Sequence, residues 1–142
     1  MTNEVAIEQT QNDIQTLEQA VDYLIKKYPN SVSKDTREGY GGVVVDRNHL
    51  LDVATTMRDE LGYNYLSSAT AVDYMGIAEP DSDMEMVYHA YRLSGGTALV
   101  FKTQAPRDNP VIPSLVSVFP ATDFQEREAY DLYGIQFEGH PN

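Results

Sequence analysis

Apolar residues recur at helical spacing over Ile14, Leu17, Val21, Leu24, Ile25 and Tyr28, with Gln15, Glu18, Asp22 and Lys26 on the opposite side. The segment therefore reads as an amphipathic helix, with Asp13 placed to cap it and Pro29-Asn30 to end it. Residues 31–45 read as two short strands about a turn of Gly39, Gly41 and Gly42, the second being the β-branched run Val43-Val44-Val45. A second helix follows from a cap at Asp46, defined by Leu50, Leu51, Ala54, Met57, Arg58 and Leu61 and closed by Gly62. An aromatic, small and β-branched stretch predicts a strand over 66–72. Two extended runs, 84–93 and 98–103, flank Ser94-Gly95-Gly96-Thr97 as the strongest hairpin signal of the chain.

Pro106, Pro110 and Pro113 fix φ and remove donors, so most of 105–113 is expected to travel as an extended loop. Thr122 and Gln125 have the spacing of a capping box opening a helix to about Tyr133, which Gly134 ends. This order predicts an α+β fold, a single mixed β-sheet of about five strands with helices packed on one face. Residues 1–12 are polar and aperiodic and read as a flexible tail; 13–142 form one domain.

Composition narrows the function. Ten Lys and Arg against 22 Asp and Glu leave a net charge of −12 over 142 residues, which argues against nucleic acid and anionic lipid as partners. No apolar run approaches the roughly 20 residues that span a bilayer, and the N-terminus lacks the features of a secretion signal, so direct membrane insertion is not expected. With 0 Cys, disulfides, thiolate nucleophiles and cysteine-ligated clusters are excluded from these residues.

Candidate chemistry is sparse. His49, His89 and His140 have no evident sequence partner, and zinc-binding HExxH, nucleophile-elbow and phosphate-loop patterns are missing. Gly39-Tyr40-Gly41-Gly42 reads as a turn. Asp81, Asp83 and Glu85 alternate like the start of a calcium loop but lack its glycine and distal glutamate, so a solvated acidic loop is expected. The last helix is anomalous. Glu128 and Asp131 share a face with Phe124, Glu126 lies with Tyr130 and Tyr133, and Arg127 is spaced to pair with Asp131. Without a wide apolar stripe, packing any face brings a charge inward or toward a partner. Three readings follow: an exposed helix, a partner surface on which Glu126, Arg127 and Glu128 make desolvated charge-assisted bonds, or an acidic active site using Glu126, Glu128 and Asp131 as acid and base.

The string from Pro113 to Asn142 resembles the signature region of the 30 kDa (C-type) subunit of respiratory complex I, the proton-pumping NADH:quinone oxidoreductase. The matching residues are Pro113-Ser114, Pro120, Phe124, Glu126-Arg127-Glu128, Tyr130-Asp131-Leu132-Tyr133-Gly134-Ile135, Phe137 and Gly139-His140-Pro141. Looser similarity spans about 13–142. Phe119 and Phe124 stand where that family often has tryptophan, and family members usually continue past the equivalent of Asn142 into an arginine-rich strand and tail. The chain is accordingly expected to represent the globular domain.

The resemblance implies a non-catalytic subunit of the peripheral arm that binds no cofactor itself, within a complex using NADH, FMN, iron–sulfur clusters and quinone. It implies contact with the large quinone-site subunit and neighbouring iron–sulfur subunits on the cytoplasmic side of the bacterial cell membrane. The implied interface residues are Glu126, Arg127, Glu128, Tyr130, Asp131, Gly134, His140 and Pro141. Equivalent subunits of membrane-bound hydrogenases and photosynthetic NDH-type complexes share the motif.

Overall fold

The computed structural model describes residues 16–73 and 83–141; Asp13, Ile14, Asp81 and the tail expected over 1–12 lie outside the described residues. The elements run α1 (Leu17–Lys27), β1 (Val32–Lys34), β2 (Val43–Val45), a 3₁₀ turn (Arg47–His49) leading into α2 (Leu50–Asp59), β3 (Tyr65–Asp73), β4 (Met84–Tyr91), β5 (Leu99–Ala105), β6 (Val111–Pro113), α3 (Thr122–Tyr133) and β7 (Gln136–Glu138). The five-stranded sheet has the order β1-β2-β5-β4-β3. It is mixed, because β2 and β5 run parallel while the other pairs are antiparallel.

Register places the core. Met84, Met86, Tyr88 and Ala90 stand opposite Ala105, Thr103, Phe101 and Leu99, and all eight are buried. The Tyr88 and Phe101 rings stack with centroids 4.8 Å apart, an offset arrangement that adds to simple burial. Helices supply Ala20, Val21 and Leu24 from α1 and Leu50, Val53, Ala54 and Met57 from α2. Val53 takes the inward position expected of Leu51, which is exposed.

Several local expectations are corrected. Thr16, not Asp13, caps α1, in a reciprocal capping box with Gln19 at 3.1 and 3.2 Å. No such box forms at α3. The residue before it, Ala121, is already helical in φ and ψ, and the Thr122 hydroxyl donates to the nearby Phe119 carbonyl at 2.8 Å. The proline-rich loop is not wholly irregular: β6 pairs in parallel with β7, forming a second, two-stranded sheet beside the expected single one. Prolines there lack only donors, and the Pro110 carbonyl still accepts from the Gln136 N–H at 2.8 Å.

Glu85 departs furthest from expectation. It is 1% exposed, on the sheet face opposite the aromatic core, rather than in a solvated acidic loop. The loop between β1 and β2 folds over it. Lys102 Nζ donates to Asp35 Oδ2 at 2.5 Å, Arg37 Nη2 donates to Asp35 Oδ2 at 2.7 Å and to Glu85 Oε1 at 3.2 Å, and Gln104 Nε2 donates to Glu85 Oε2 at 2.9 Å. The Tyr40 ring packs 4.3 Å from the Arg37 guanidinium and 5.0 Å from the Lys102 ammonium. Hydrogen bonding from Arg37, and then from Lys102, outweighs burial and holds the Asp35 carboxyl well below the usual carboxylate range. Gly42, at φ +79°, brings the loop against β5 so closely that a Cβ there would collide with the Val100 carbonyl.

Two outcomes are expected. Asp35→Asn leaves the buried Lys102 ammonium without its nearest counter-charge and should cost about 3–5 kcal/mol in urea unfolding at neutral pH. Because the folded pKa is depressed, this contribution is present above the unfolded value of about 3.9 and fades as pH falls below it toward the folded value. Gly42→Ala combines a left-handed backbone with a main-chain collision and should lose more than about 2 kcal/mol in the same assay.

Candidate functional site

Helix α3 is where the chain places charge in the interior. Its inward stripe is only Thr122, Glu126 and Ala129, a spacing of four and three residues that defines one narrow face. Glu126 is 0% exposed. Its Oε1 accepts from the Ser114 hydroxyl at 2.6 Å and its Oε2 from the Leu115 N–H at 2.8 Å. The carboxylate therefore ties α3 to the turn that follows β6. Burial pushes the Glu126 carboxyl above its ordinary value, the two hydrogen bonds opposing that shift. Burial, reinforced by the charge of Glu126, also raises the Tyr88 phenol well above its usual range.

His140 closes the arrangement from beyond β7. Its Nε2 lies 2.9 Å from Asp123 Oδ1 and 4.0 Å from Glu126 Oε1. Gly134, at φ +74°, ends α3 with its N–H bonded to the Tyr130 carbonyl at 2.9 Å. The reversal sends the chain into β7, so that Glu126, Arg127 and Tyr130 face Gln136, Phe137 and His140 across a cleft of about 460 Å³.

The outer face of α3 is unusually apolar for a surface. Phe124 and Leu132 are each 67% exposed and Tyr130 57%, with Arg127, Glu128 and Asp131 exposed among them. Arg127 Nε lies 3.5 Å from Asp123 Oδ1, so its ion pair points back one turn and not forward to Asp131 as the spacing suggested. Pro141 is exposed beyond His140.

The structure thus separates the residues grouped by sequence. Glu126 faces the interior while Glu128 and Asp131 face outward, so these carboxylates do not assemble into an acid–base group. Among the described residues no group of three or more His, Cys, Asp or Glu is positioned to hold a metal ion. Sequence reasoning assigned no role to Ser114, which holds Glu126, although Pro113-Ser114 stood in the motif. It also missed Asp123 as the partner of both Arg127 and His140. The histidines without sequence partners find them in space, Ser31 for His49 at 3.0 Å and Ser68 for His89 at 3.1 Å.

Glu126→Ala should destabilise the fold by about 2–4 kcal/mol, since it orphans the Ser114 hydroxyl and the Leu115 N–H and opens a void. For the native chain, a carboxyl whose folded pKa is raised stabilises most at low pH. Its contribution falls as pH climbs from about 4.3 through the folded value. Glu126→Gln should remove that segment of the pH–stability curve measured by urea unfolding.

Residues 43–142 match the family model described as the respiratory-chain NADH dehydrogenase 30 kDa subunit. The NADH-quinone oxidoreductase C-type subunit of Moorella thermoacetica is 39% identical over 110 residues, covering 76% of this chain and 72% of that protein. The F(420)H(2) dehydrogenase C-type subunit of Methanosarcina mazei is 34% identical over 124 residues, covering 85% and 75%. The chain spans only 39% of the C-type subunit of Saccharopolyspora erythraea, at 36% identity and over 68% of its own length. In structure it is similar to a trypsin-resistant fragment of Nqo5, with a TM-score of 0.75 at 26% identity, covering 89% of this chain and 98% of the fragment. The Glu126 anchor and the exposed helix it holds are therefore features of a protein that belongs to the respiratory-chain NADH dehydrogenase 30 kDa subunit family, whose members include the C-type subunits of NADH-quinone oxidoreductase.

Proposed function

We propose that this chain is a non-catalytic peripheral-arm subunit of a proton-translocating NADH:quinone oxidoreductase, bracing the large quinone-site subunit through the outer face of α3. The observation that carries the reading is the division of labour on that helix. Glu126 is consumed in holding it, while Phe124, Tyr130 and Leu132 stay exposed among Arg127, Glu128 and Asp131. Aromatic and aliphatic anchors interleaved with charge fit a protein interface, where apolar side chains supply affinity and the charges fix orientation. The interface extends in this reading to Gly134, His140 and Pro141, which shape the cleft end of the same surface. Cofactor chemistry with NADH, FMN, iron–sulfur clusters and quinone then belongs to other subunits, and this chain carries no reacting group. Among the described residues no helix is long and apolar enough to cross a membrane, which fits attachment to the cytoplasmic face through partners.

A second reading keeps the bracing role and changes the complex. The similarity to the F(420)H(2) dehydrogenase C-type subunit, and to a chain of an archaeal membrane-bound sulfane sulfur reductase at a TM-score of 0.70 and 25% identity, favours it. Membrane-bound hydrogenases and photosynthetic NDH-type complexes belong with this alternative, in which the electron donor differs and the braced surface does not.

Calorimetry with the large subunit of the same organism's complex tests the proposal. One-to-one binding is expected, weakened by Arg127→Glu by about 2–5 kcal/mol if the charge is desolvated at the contact. Circular dichroism should show the variant folded, because Arg127 is half-exposed. Unchanged binding by folded Arg127→Glu would remove this residue from the interface, and no binding by the native chain would overturn the bracing role.

A further inference from the structure

The two edges of the five-stranded sheet are treated very differently. β1 is three residues long and ends in Lys34, the short, charged kind of edge that resists pairing with another chain. β3 is nine residues long, and its sequence from Tyr65 to Val72 contains no charge, proline or glycine. A register shift between Leu66 and Ser68 disturbs the start of its pairing, but Ser68 to Asp73 run in regular register with β4. Among the described residues, no backbone hydrogen bond outside the sheet reaches Tyr65 to Asp73. Long, uncharged edges of this kind are sites of strand addition.

Helix α3 packs along β3 without filling the space beside it. Between them lies a notch of about 110 Å³, walled by Ala69, Thr70 and Ala71 on the strand and by Gln125, Glu128 and Leu132 among others on the helix. Gln125 Oε1 is buried and has no hydrogen-bond partner among the described residues, an acceptor available to a donor entering the notch. Leu132 and Glu128 belong at the same time to the exposed face of α3, so strand edge, notch and helix face are continuous.

We propose that a partner protein of the complex adds an extended segment to β3 as a sixth strand of this sheet. The inference deepens the bracing role and rests on it. Open main-chain donors and acceptors specify an extended occupant and not a helix. Strand periodicity then turns every second side chain toward Ala69 and Ala71, where the shallow notch admits a small apolar residue or a short donor for Gln125. A net charge of −12, with Glu128 in the notch wall, calls for basic flanks on that segment.

Hydrogen–deuterium exchange on the native complex, purified through a tag on this chain, decides the matter against the free chain. Alternate amides between Ser68 and Val72 are expected to exchange about tenfold or more slowly in the complex. Thr70→Lys, which places a charge beside the open edge, should lower recovery of the partner while leaving circular dichroism unchanged; if it does not fold, the exchange comparison stands alone. Partner recovery with equal exchange of β3 in both states would overturn strand addition and leave the bracing role standing. No partner recovered by the native chain would overturn the bracing role and this inference with it.

Discussion

A helix without a wide apolar stripe cannot be held by hydrophobic burial alone, and α3 is held instead by one interior carboxylate. Glu126 satisfies both its oxygens on Ser114 and Leu115, two neighbours in the turn after β6. That choice fixes the rotation of the helix about its axis. With Glu126 inward, the helical period turns Phe124 and Leu132 outward, while Tyr130, one turn on from Glu126, stays exposed at the cleft. A leucine at the same place would bury as well but would accept neither donor. The anchor is thus polar because its partners are main-chain and hydroxyl donors that need an acceptor.

The sheet has two faces with different physics. On one, stacked Tyr88 and Phe101 and the methionines of β4 form an apolar core with the helices. On the other, Asp35, Arg37, Glu85, Lys102 and Gln104 form a hydrogen-bonded ionic network under the loop between β1 and β2. Ions this deeply placed persist only when each has a partner. The loop reaches them because Gly42 permits close approach to β5. Both faces of the sheet are thereby covered, and α3 packs against its β3 side.

Much of this was legible in the chain. Helical periodicity located α1 and α2, the glycine pair marked the β4–β5 turn, and the signature from Pro113 to Pro141 identified the family, since a long ordered motif does not depend on knowing contacts. Legibility failed where a local signal met a tertiary competitor. Thr122 and Gln125 have capping-box spacing, yet the Phe119 carbonyl captured the hydroxyl because the chain was already turning before the helix. Glu85 sat in an acidic run, yet Arg37, 48 positions away, drew it inside.

The sequence by itself determined the order of the three helices and of the five strands of the main sheet, the mixed α+β class, the acidic surface and the anomaly of a charged helix without an apolar stripe, because each follows from neighbours along the chain. Only the tertiary structure decided which of three charges in Glu126-Arg127-Glu128 goes inside, that β6 and β7 pair, and that β3 is an edge strand of the sheet among the described residues. Those outcomes depend on donors and acceptors brought together from distant positions, and spacing along a chain does not encode which backbone group a carboxylate will meet in space.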